Sequence, residues 1–209
     1  MKITKQYLIL VFLSLTMGWS LHAQDVDVFK SKDMVFYGLD FTQARFTGGS
    51  GLTSPASMQD KYMPALNELM MDERKRYDVA KSYKKKNVEY NFYRADDLNA
   101  AFDVYEHYMN GKVESLSEEQ IQSVVQNYND EKHSGLGLVY IIDEVSHGNN
   151  LISIQIVFFD IDTQEVLLVK RARGGMKGFS IRNYYAGGIR QIIKESQESY
   201  EKWEKQAEN

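Results

Sequence analysis

Alternation of apolar and smaller or polar side chains marks the carboxyl third of the chain. Residues 136–146, 151–160 and 166–174 each predict a strand, and the second alternates most clearly, with apolar residues at every other position from Ile152 to Phe158. The connections between these strands are short. Short connections join antiparallel neighbours, so this part of the chain predicts a β-meander.

The amino half contains two further candidate strands and one long helical segment. Residues 34–41 and 88–96 have the aromatic and β-branched content of strands. Residues 58–87 carry apolar side chains at a spacing of three or four, which predicts helix, with a break near the all-charged stretch 72–76. Residues 42–57 hold three glycines and a proline, and we expect a long loop there.

Three more helices are predicted in the rest of the chain. Residues 97–109 show helical spacing, and Ser117 with Gln120 forms a capping box that opens the next helix. The last helix spans about 180–205 and contains Gly187-Gly188. Glycine inside a helix costs about 1 kcal/mol relative to alanine, so we expect the helix to approach the sheet closely at that pair.

The order of these elements predicts an α/β (α+β) fold. One mixed sheet of about five strands, the last three antiparallel, with helices packed on it, is the arrangement that buries each apolar face. The length of residues 34–209 fits a single domain.

The first residues have the layout of a secretory signal. Lys2 and Lys5 precede an apolar run over 7–15, and Ala23 provides a small residue at a cleavage edge. We therefore predict a signal peptide over 1–23, a flexible leader over 24–33, and a periplasmic or extracellular protein with no integral membrane segment after cleavage. An uncleaved amino-terminal anchor is the alternative, although the apolar run is shorter than the ~20 residues of a membrane span.

Composition narrows the function classes. The chain has no cysteine, which excludes disulfides, thiol nucleophiles, thiolate metal sites and a lipidated amino terminus. Its net charge is −4, and removal of residues 1–23 takes away two of 25 basic residues and none of 29 acidic ones, giving 23 − 29 = −6. An acidic balance argues against nucleic acid as a partner.

The segment 117–175 resembles a known periplasmic domain. A helix, a strand that opens with small residues, and a hairpin with the turn Asp160-Ile161-Asp162-Thr163-Gln164-Glu165-Val166 resemble the domain shared by the curli-secretion lipoprotein CsgG and the amino-terminal part of TolB. The family turn carries glycine where this chain has Gln164. The lipidated cysteine and the pore-forming hairpins of CsgG have no counterpart here. The resemblance implies an envelope protein that acts through contacts and not through chemistry.

The main candidate binding site is the corner between the last strand and the last helix. Helix-start amides and arginine side chains suit carboxylate, phosphate or lipid head groups. The alternative is a turn whose glycines supply positive φ, with solvated charges around it. The candidate binding residues are Arg171, Arg173, Gly174, Gly175, Lys177 and Arg182.

Two other clusters have weaker patterns. The loop Gly48-Gly49-Ser50-Gly51 lacks the lysine and the spacing of a phosphate-binding motif, and a flexible connector explains it better than an anion site. Acidic residues around 143–147 and 160–165 lack the calcium-loop pattern, and turn chemistry accounts for Asp160 and Asp162. We predict no metal and no cofactor.

No catalytic motif contains any of the mature histidines, which are His107, His133 and His147. The sequence therefore favours an exported, non-catalytic module that binds an envelope protein or associates with itself. A small-molecule or anion-binding protein using the corner 171–178 is one alternative. A hydrolase whose site is assembled from distant residues is the other.

Overall fold

One sheet runs through the whole of the domain. The computed structural model describes residues 27–49 and 53–207. The strands are β1 (Asp33–Asp40), β2 (Arg45–Thr47), β3 (Asn87–Tyr90), β4 (Leu136–Ser146), β5 (Leu151–Asp160) and β6 (Val166–Gly175). The helices are α1 (Pro55–Ser57), α2 (Met63–Asp72), α3 (Val79–Ser82), α4 (Tyr93–Ala101), α5 (Glu118–Val125) and α6 (Ile181–Ala207), with a π-helical turn over Met58–Tyr62 and a 3₁₀ turn over Val104–His107.

The strand order is β3-β1-β4-β5-β6, and the sheet is mixed. β1 pairs in parallel with β3 and β4, whereas β4, β5 and β6 pair antiparallel. This confirms the predicted α/β fold and the carboxyl-terminal meander. One strand was not expected: β2 lies within the predicted loop 42–57 and pairs in parallel with the end of β4. Phe46 of β2 is buried and stacks on Tyr108 with ring centroids 4.7 Å apart, which gives this short strand its packing.

Helices cover the two faces of the sheet unequally. On the larger side, apolar residues of α2, α3 and α6 share one core with the alternating apolar residues of β5, so that Ile154 and Phe158 lie in it together with Ile189 of α6. On the other side, the short α5 packs on a smaller core that includes Val139 and Val157. Residues 166–172 of β6 are half-buried on both faces of the sheet.

α6 touches the sheet backbone directly at its glycine pair. A Cβ built on Gly174 of β6 would lie 2.1 Å from the carbonyl oxygen of Gly188, and one built on Gly187 would lie 2.2 Å from that of Lys177. This confirms the predicted close approach at Gly187-Gly188. Neither Gly174 nor Gly175 has a positive φ, so the turn interpretation of these two glycines is wrong, and close packing explains Gly174.

The strand predicted over 88–96 is wrong beyond Tyr90. β3 pairs with β1 only as far as Phe36. Beyond that point, side-chain amides take the place of a strand: Asn67 Oδ1 accepts from the Leu39 amide at 2.8 Å and Asn99 Oδ1 from the Phe41 amide at 2.7 Å. Because Asn99 lies on α4, the chain turns into helix at Tyr93 so that this helix can satisfy the β1 edge.

The helical predictions differ from the structure mainly in their ends. The segment 58–87 does break near the charged stretch, since α2 ends at Asp72 and α3 begins at Val79, where the Asp78 side chain accepts from the Lys81 amide. The helix predicted over 97–109 is displaced, because α4 ends at Ala101. The capping box before α5 is confirmed, with both of its reciprocal hydrogen bonds formed.

The part of the predicted leader that the structure describes packs against the core. Val28 is buried, and its carbonyl oxygen accepts from Tyr200 Oη at 2.8 Å and from Lys85 Nζ. Burial lowers the pKa of Lys85 to about 8. The predicted signal peptide and residues 24–26 lie outside the described residues. Within the described residues, no helix combines the length and the apolar character that crossing a bilayer requires.

Candidate functional site

The structure gives the predicted corner residues different roles. Gly174 is part of the contact with α6, and the Gly175 amide donates to Gln191 Oε1 at 3.0 Å, so neither residue forms an anion cradle. Arg171 lies on the α5 side of the sheet and joins a buried polar network. The three remaining cations are exposed and form no ion pair among the described residues; they are Arg173, Lys177 and Arg182.

Arg171 reaches across β5 to a carboxylate on β4. Its Nε lies 2.8 Å from Asp143 Oδ2 and 3.0 Å from Ser153 Oγ. Gln155, between the two strands, donates from Nε2 to Asp143 Oδ2 at 3.0 Å and to Ser115 Oγ at 2.9 Å. Asp143 is completely buried, whereas 26% of the Arg171 side chain is exposed. The ion pair therefore connects the core of the sheet to its surface.

Two atoms of this network have no protein partner in the described part of the chain. Asp143 Oδ1 and Arg171 Nη2 are both buried and form no hydrogen bond. Buried polar atoms are nearly always paired in folded proteins, because desolvation without a partner costs about 1–3 kcal/mol.

A groove of about 930 Å³ lies above this network, between α5 and β6. Arg171 and Gln155 contribute to its lining, and the apolar wall includes Leu116, Ile121 and Val169. Three carboxylate side chains also line it: Glu118, Glu119 and Glu165. The groove thus combines apolar walls with an acidic rim.

β6 is an edge strand with an open outer side. The Met176 amide donates towards β5, to the Asn150 carbonyl, whereas the preceding Gly175 amide donates away from β5, to Gln191. Because successive residues of a strand point their backbone groups to opposite sides, those of residues 169, 171 and 173 also face outward. At the other end of the strand, Gln122 Oε1 accepts from the Val166 amide at 3.2 Å. In the described ranges, side chains therefore cap both ends of this edge, and no strand pairs with its middle.

The three histidines among the described residues, His107, His133 and His147, are dispersed. His147 Nε2 lies 2.9 Å from Tyr185 Oη, and burial lowers the pKa of His147. His107 Nδ1 lies 2.8 Å from the Ala44 carbonyl oxygen. In the part of the chain that the structure describes, no group of three or more His, Asp or Glu side chains is placed to hold a metal ion.

His133 is the histidine that meets carboxylates. Its Nδ1 lies 2.6 Å from Asp130 Oδ2 and its Nε2 lies 2.8 Å from Glu89 Oε1. Tyr37 Oη also donates to Asp130 Oδ2 at 2.9 Å. Burial alone would lower the pKa of His133, but the hydrogen bonds to Glu89 and Asp130 outweigh it and raise the pKa. With both ring nitrogens donating to carboxylates, His133 acts as a charged clamp between β3 and the segment before β4.

This clamp predicts a pH dependence of stability. A raised folded-state pKa stabilises the fold fully below the unfolded value of about 6.5, and this stabilisation is lost as the pH rises through the folded pKa. The free energy of unfolding of the native protein should therefore fall as the pH rises from about 6.5 through the folded-state pKa of His133. The fall should be smaller in His133→Gln. Urea titrations at a series of pH values measure it. His107→Gln is the control, and an unchanged pH profile in His133→Gln would contradict the assignment.

The remaining sequence candidates have structural roles. Gly48 has φ +82°, and a Cβ there would lie 2.4 Å from the Gly148 amide nitrogen, so the start of the glycine loop contacts the β4–β5 turn. The predicted loop residues 50 and 51 lie outside the described residues. Asp160 Oδ1 accepts from the Asp162 and Thr163 amides at 2.8 and 3.0 Å, which is turn chemistry.

No protein-family model matches the chain, and no curated protein matches it significantly.

Proposed function

We propose that this protein is an exported binding module that receives an extended segment of a partner protein along β6. The observation that carries the proposal is the open outer edge of this ten-residue strand beside the groove under α5. Addition of a strand to a sheet edge is a general mode of peptide recognition, in which backbone hydrogen bonds provide affinity and side-chain pockets provide specificity.

The backbone of β6 supplies the affinity. Residues 169, 171 and 173 present three amides and three carbonyls outward, and an added strand can pair with all of them. The strand is fixed on its inner side by the β5 ladder and at its ends by Gln122 and Gln191. A segment that binds here meets a preformed edge, so little ordering of this protein opposes binding.

The groove defines the chemistry of the segment. Apolar walls at Leu116, Ile121 and Val169 accept the apolar side chains of one face of the added strand. The three carboxylates Glu118, Glu119 and Glu165 favour a lysine or arginine at the end of the segment that passes α5. We therefore expect an alternating apolar and polar segment with a basic residue at that end.

A second copy of β6 fits this edge poorly. An antiparallel pair centred on Arg171 would place Arg171 opposite its own copy, with Arg173 of each copy diagonally beside it on the same face. Like charges across paired strands are destabilising. Charge complementarity thus favours a different protein over self-association.

Export and an envelope partner also belong to the proposal. The amino-terminal layout and the resemblance of residues 117–175 to periplasmic domains support them. Intact-mass measurement on protein recovered from outside the cytoplasm should give a chain that begins near Gln24. An intact amino terminus on protein isolated from the cytosol would remove this part of the proposal.

Val169→Pro tests the edge directly. The substitution removes an outward amide and leaves the bonds to β5 in place, and edge strands tolerate proline at such positions. The probes are synthetic ten-residue peptides that alternate valine and threonine and end in lysine or in glutamate. The lysine peptide should bind the native protein and slow amide exchange at 169, 171 and 173, and Val169→Pro should weaken binding by at least about tenfold, since a ladder hydrogen bond and its neighbours are lost.

The opposite edge provides the matched control. Val88 lies on β3. The Asn87 and Asn91 amides donate to the Lys32 and Phe36 carbonyls on the β1 side, so the Val88 amide, which alternates with them, faces away from β1. Val88→Pro should leave peptide binding unchanged. Equal weakening by both substitutions, or no exchange protection on β6 with any peptide of the set, would contradict the proposal. Concentration-dependent sedimentation of the native chain would indicate self-association instead.

A further inference from the structure

The corner between β6 and α6 carries a fully exposed aromatic side chain. Phe179 has a relative exposure of 111%, more than a reference side chain in an extended peptide, and exceeds the other exposed large apolar residues among those described, which are Tyr93, Tyr105 and Met109. Phenylalanine is normally among the more buried residues. A ring that protrudes completely therefore requires an explanation.

The ring is held out by a rigid support. Met176 is buried, and its amide donates to the Asn150 carbonyl at 2.7 Å, while the Lys177 amide donates to the Tyr184 carbonyl at 3.0 Å. A Cβ on Gly178 would lie 2.5 Å from the carbonyl carbon of Asn183, so the corner is packed tightly against the start of α6. Hydrogen bonds and packing on both sides of Phe179 thus fix where it is displayed.

The charge around this ring is opposite to that of the rest of the chain. Residues 166–194 contain seven Lys and Arg and no Asp or Glu. With a net charge of −4 for the whole chain, the remaining residues carry −4 − 7 = −11. Lys177, Arg182 and Arg173 are the exposed cations of the corner, and the amino end of the 27-residue α6 adds positive potential there.

We propose that this corner, Arg173 with residues 177–182, docks on an anionic phospholipid surface. The Phe179 ring enters the boundary between head groups and acyl chains, and Lys177, Arg182 and Arg173 contact lipid phosphates. Aromatic rings and long cationic side chains suit this boundary because each has an apolar part and the cations keep their heads in the polar layer.

A membrane fits the geometry better than an acidic protein. A stable protein interface buries about 800 Å² on each partner around a well-packed centre. The corner offers a single protruding ring and cations beside it, and α6 and β6 use the neighbouring apolar side chains in the core. A fluid lipid surface needs no complementary pocket to receive such a ring.

Vesicle flotation tests the proposal. Vesicles of phosphatidylcholine alone and vesicles with about one third phosphatidylglycerol differ in surface charge, and each cation near an anionic surface contributes roughly fivefold in affinity. The full chain should float with the anionic vesicles. Phe179→Ala should weaken this binding about tenfold, through loss of the buried ring. The double variant Lys177→Gln/Arg182→Gln should weaken it about twentyfold. The same amino-terminal segment is present in every variant, so the ratios report the corner alone.

A local probe identifies which surface inserts. The chain has no cysteine, so Phe179→Cys places one thiol at the corner for an environment-sensitive fluorophore. Tyr105→Cys is the matched control, because Tyr105 is 63% exposed but lies beside Asp103 and Glu106. Anionic vesicles should shift the emission of the label at 179 to shorter wavelength and leave that at 105 unchanged.

Three results would overturn the proposal. They are equal binding to both kinds of vesicle, equal flotation of Phe179→Ala and the native chain, and an unshifted label at 179. A corner that binds a polyglutamate peptide with dependence on Phe179 and fails to bind anionic vesicles would indicate an acidic protein partner in place of the membrane. None of these results bears on peptide binding at the β6 edge.

Discussion

Replacing Gly174 by alanine should lower the free energy of unfolding by about 3 kcal/mol, the upper end of the range for overpacked cores. The added methyl group would lie 2.1 Å from the Gly188 carbonyl oxygen and 2.8 Å from its carbonyl carbon. Both atoms belong to the backbone of α6, so no side chain can rotate away. The helix must move off the sheet, which weakens the core beneath it. Urea denaturation followed by circular dichroism measures the loss.

The adjacent glycine supplies the control. A Cβ on Gly175 would meet only the end of the Gln191 side chain, at 3.4 Å. Gln191 is flexible and half-buried, so Gly175→Ala should change the free energy of unfolding by less than about 0.5 kcal/mol. Similar losses for the two substitutions would show that the contact between Gly174 and Gly188 is not what limits this corner.

Replacing Arg171 by methionine should cost roughly 3–5 kcal/mol of unfolding free energy, the range for breaking a buried ion pair from one side. Methionine fills much of the space of the arginine stem but leaves the completely buried Asp143 without its cation. Gln155 retains one hydrogen bond to that carboxylate, which does not compensate a buried charge. Thermal and urea unfolding both measure the effect.

A double variant separates the contribution of the ion pair to stability from the contributions of its two side chains. Asp143→Leu combined with Arg171→Met removes both charges, and the double variant should recover at least about 2 kcal/mol relative to Arg171→Met alone. Arg173→Met, two residues along the same strand and exposed, should change stability by less than about 0.5 kcal/mol. If Arg171→Met were as mild as Arg173→Met, the ion pair would not hold the sheet together.

The meander and the start of α5 were predictable because their signals are local. The apolar alternation from Ile152 to Phe158 follows the pleat of one strand, and the capping box of Ser117 and Gln120 acts within one helical turn. β3 and α4 were not predictable in the same way. Their boundary depends on Asn67 and Asn99, which replace a strand along β1 and lie 28 and 60 residues from Leu39 in the chain.

Part of the candidate site was visible in the sequence only as a basic patch. Arg171 stands among other cations, and nothing nearby distinguishes it from Arg173. Its role depends on the register that brings Ile141, Gln155 and Arg171 side by side on β4, β5 and β6. A signal did exist: Asp143 and Glu144 interrupt the apolar run of one predicted strand, and Ser153 and Gln155 do the same in the next one. Polar residues inside buried strands require partners, which predicts a network without identifying its cation.

The direct contact between α6 and the sheet also restricts which residues homologous proteins can carry at these positions. Gly174, Gly178, Gly187 and Gly188 each face backbone atoms or a core side chain at distances that exclude a methyl group. A protein of common ancestry that keeps this helix in place must therefore keep the spacing Gly-x₃-Gly-x₈-Gly-Gly, or replace these glycines together. Because Gly175 tolerates a methyl group, that position is free to vary. The pattern offers a physical fingerprint for recognising remote kin whose other residues have diverged.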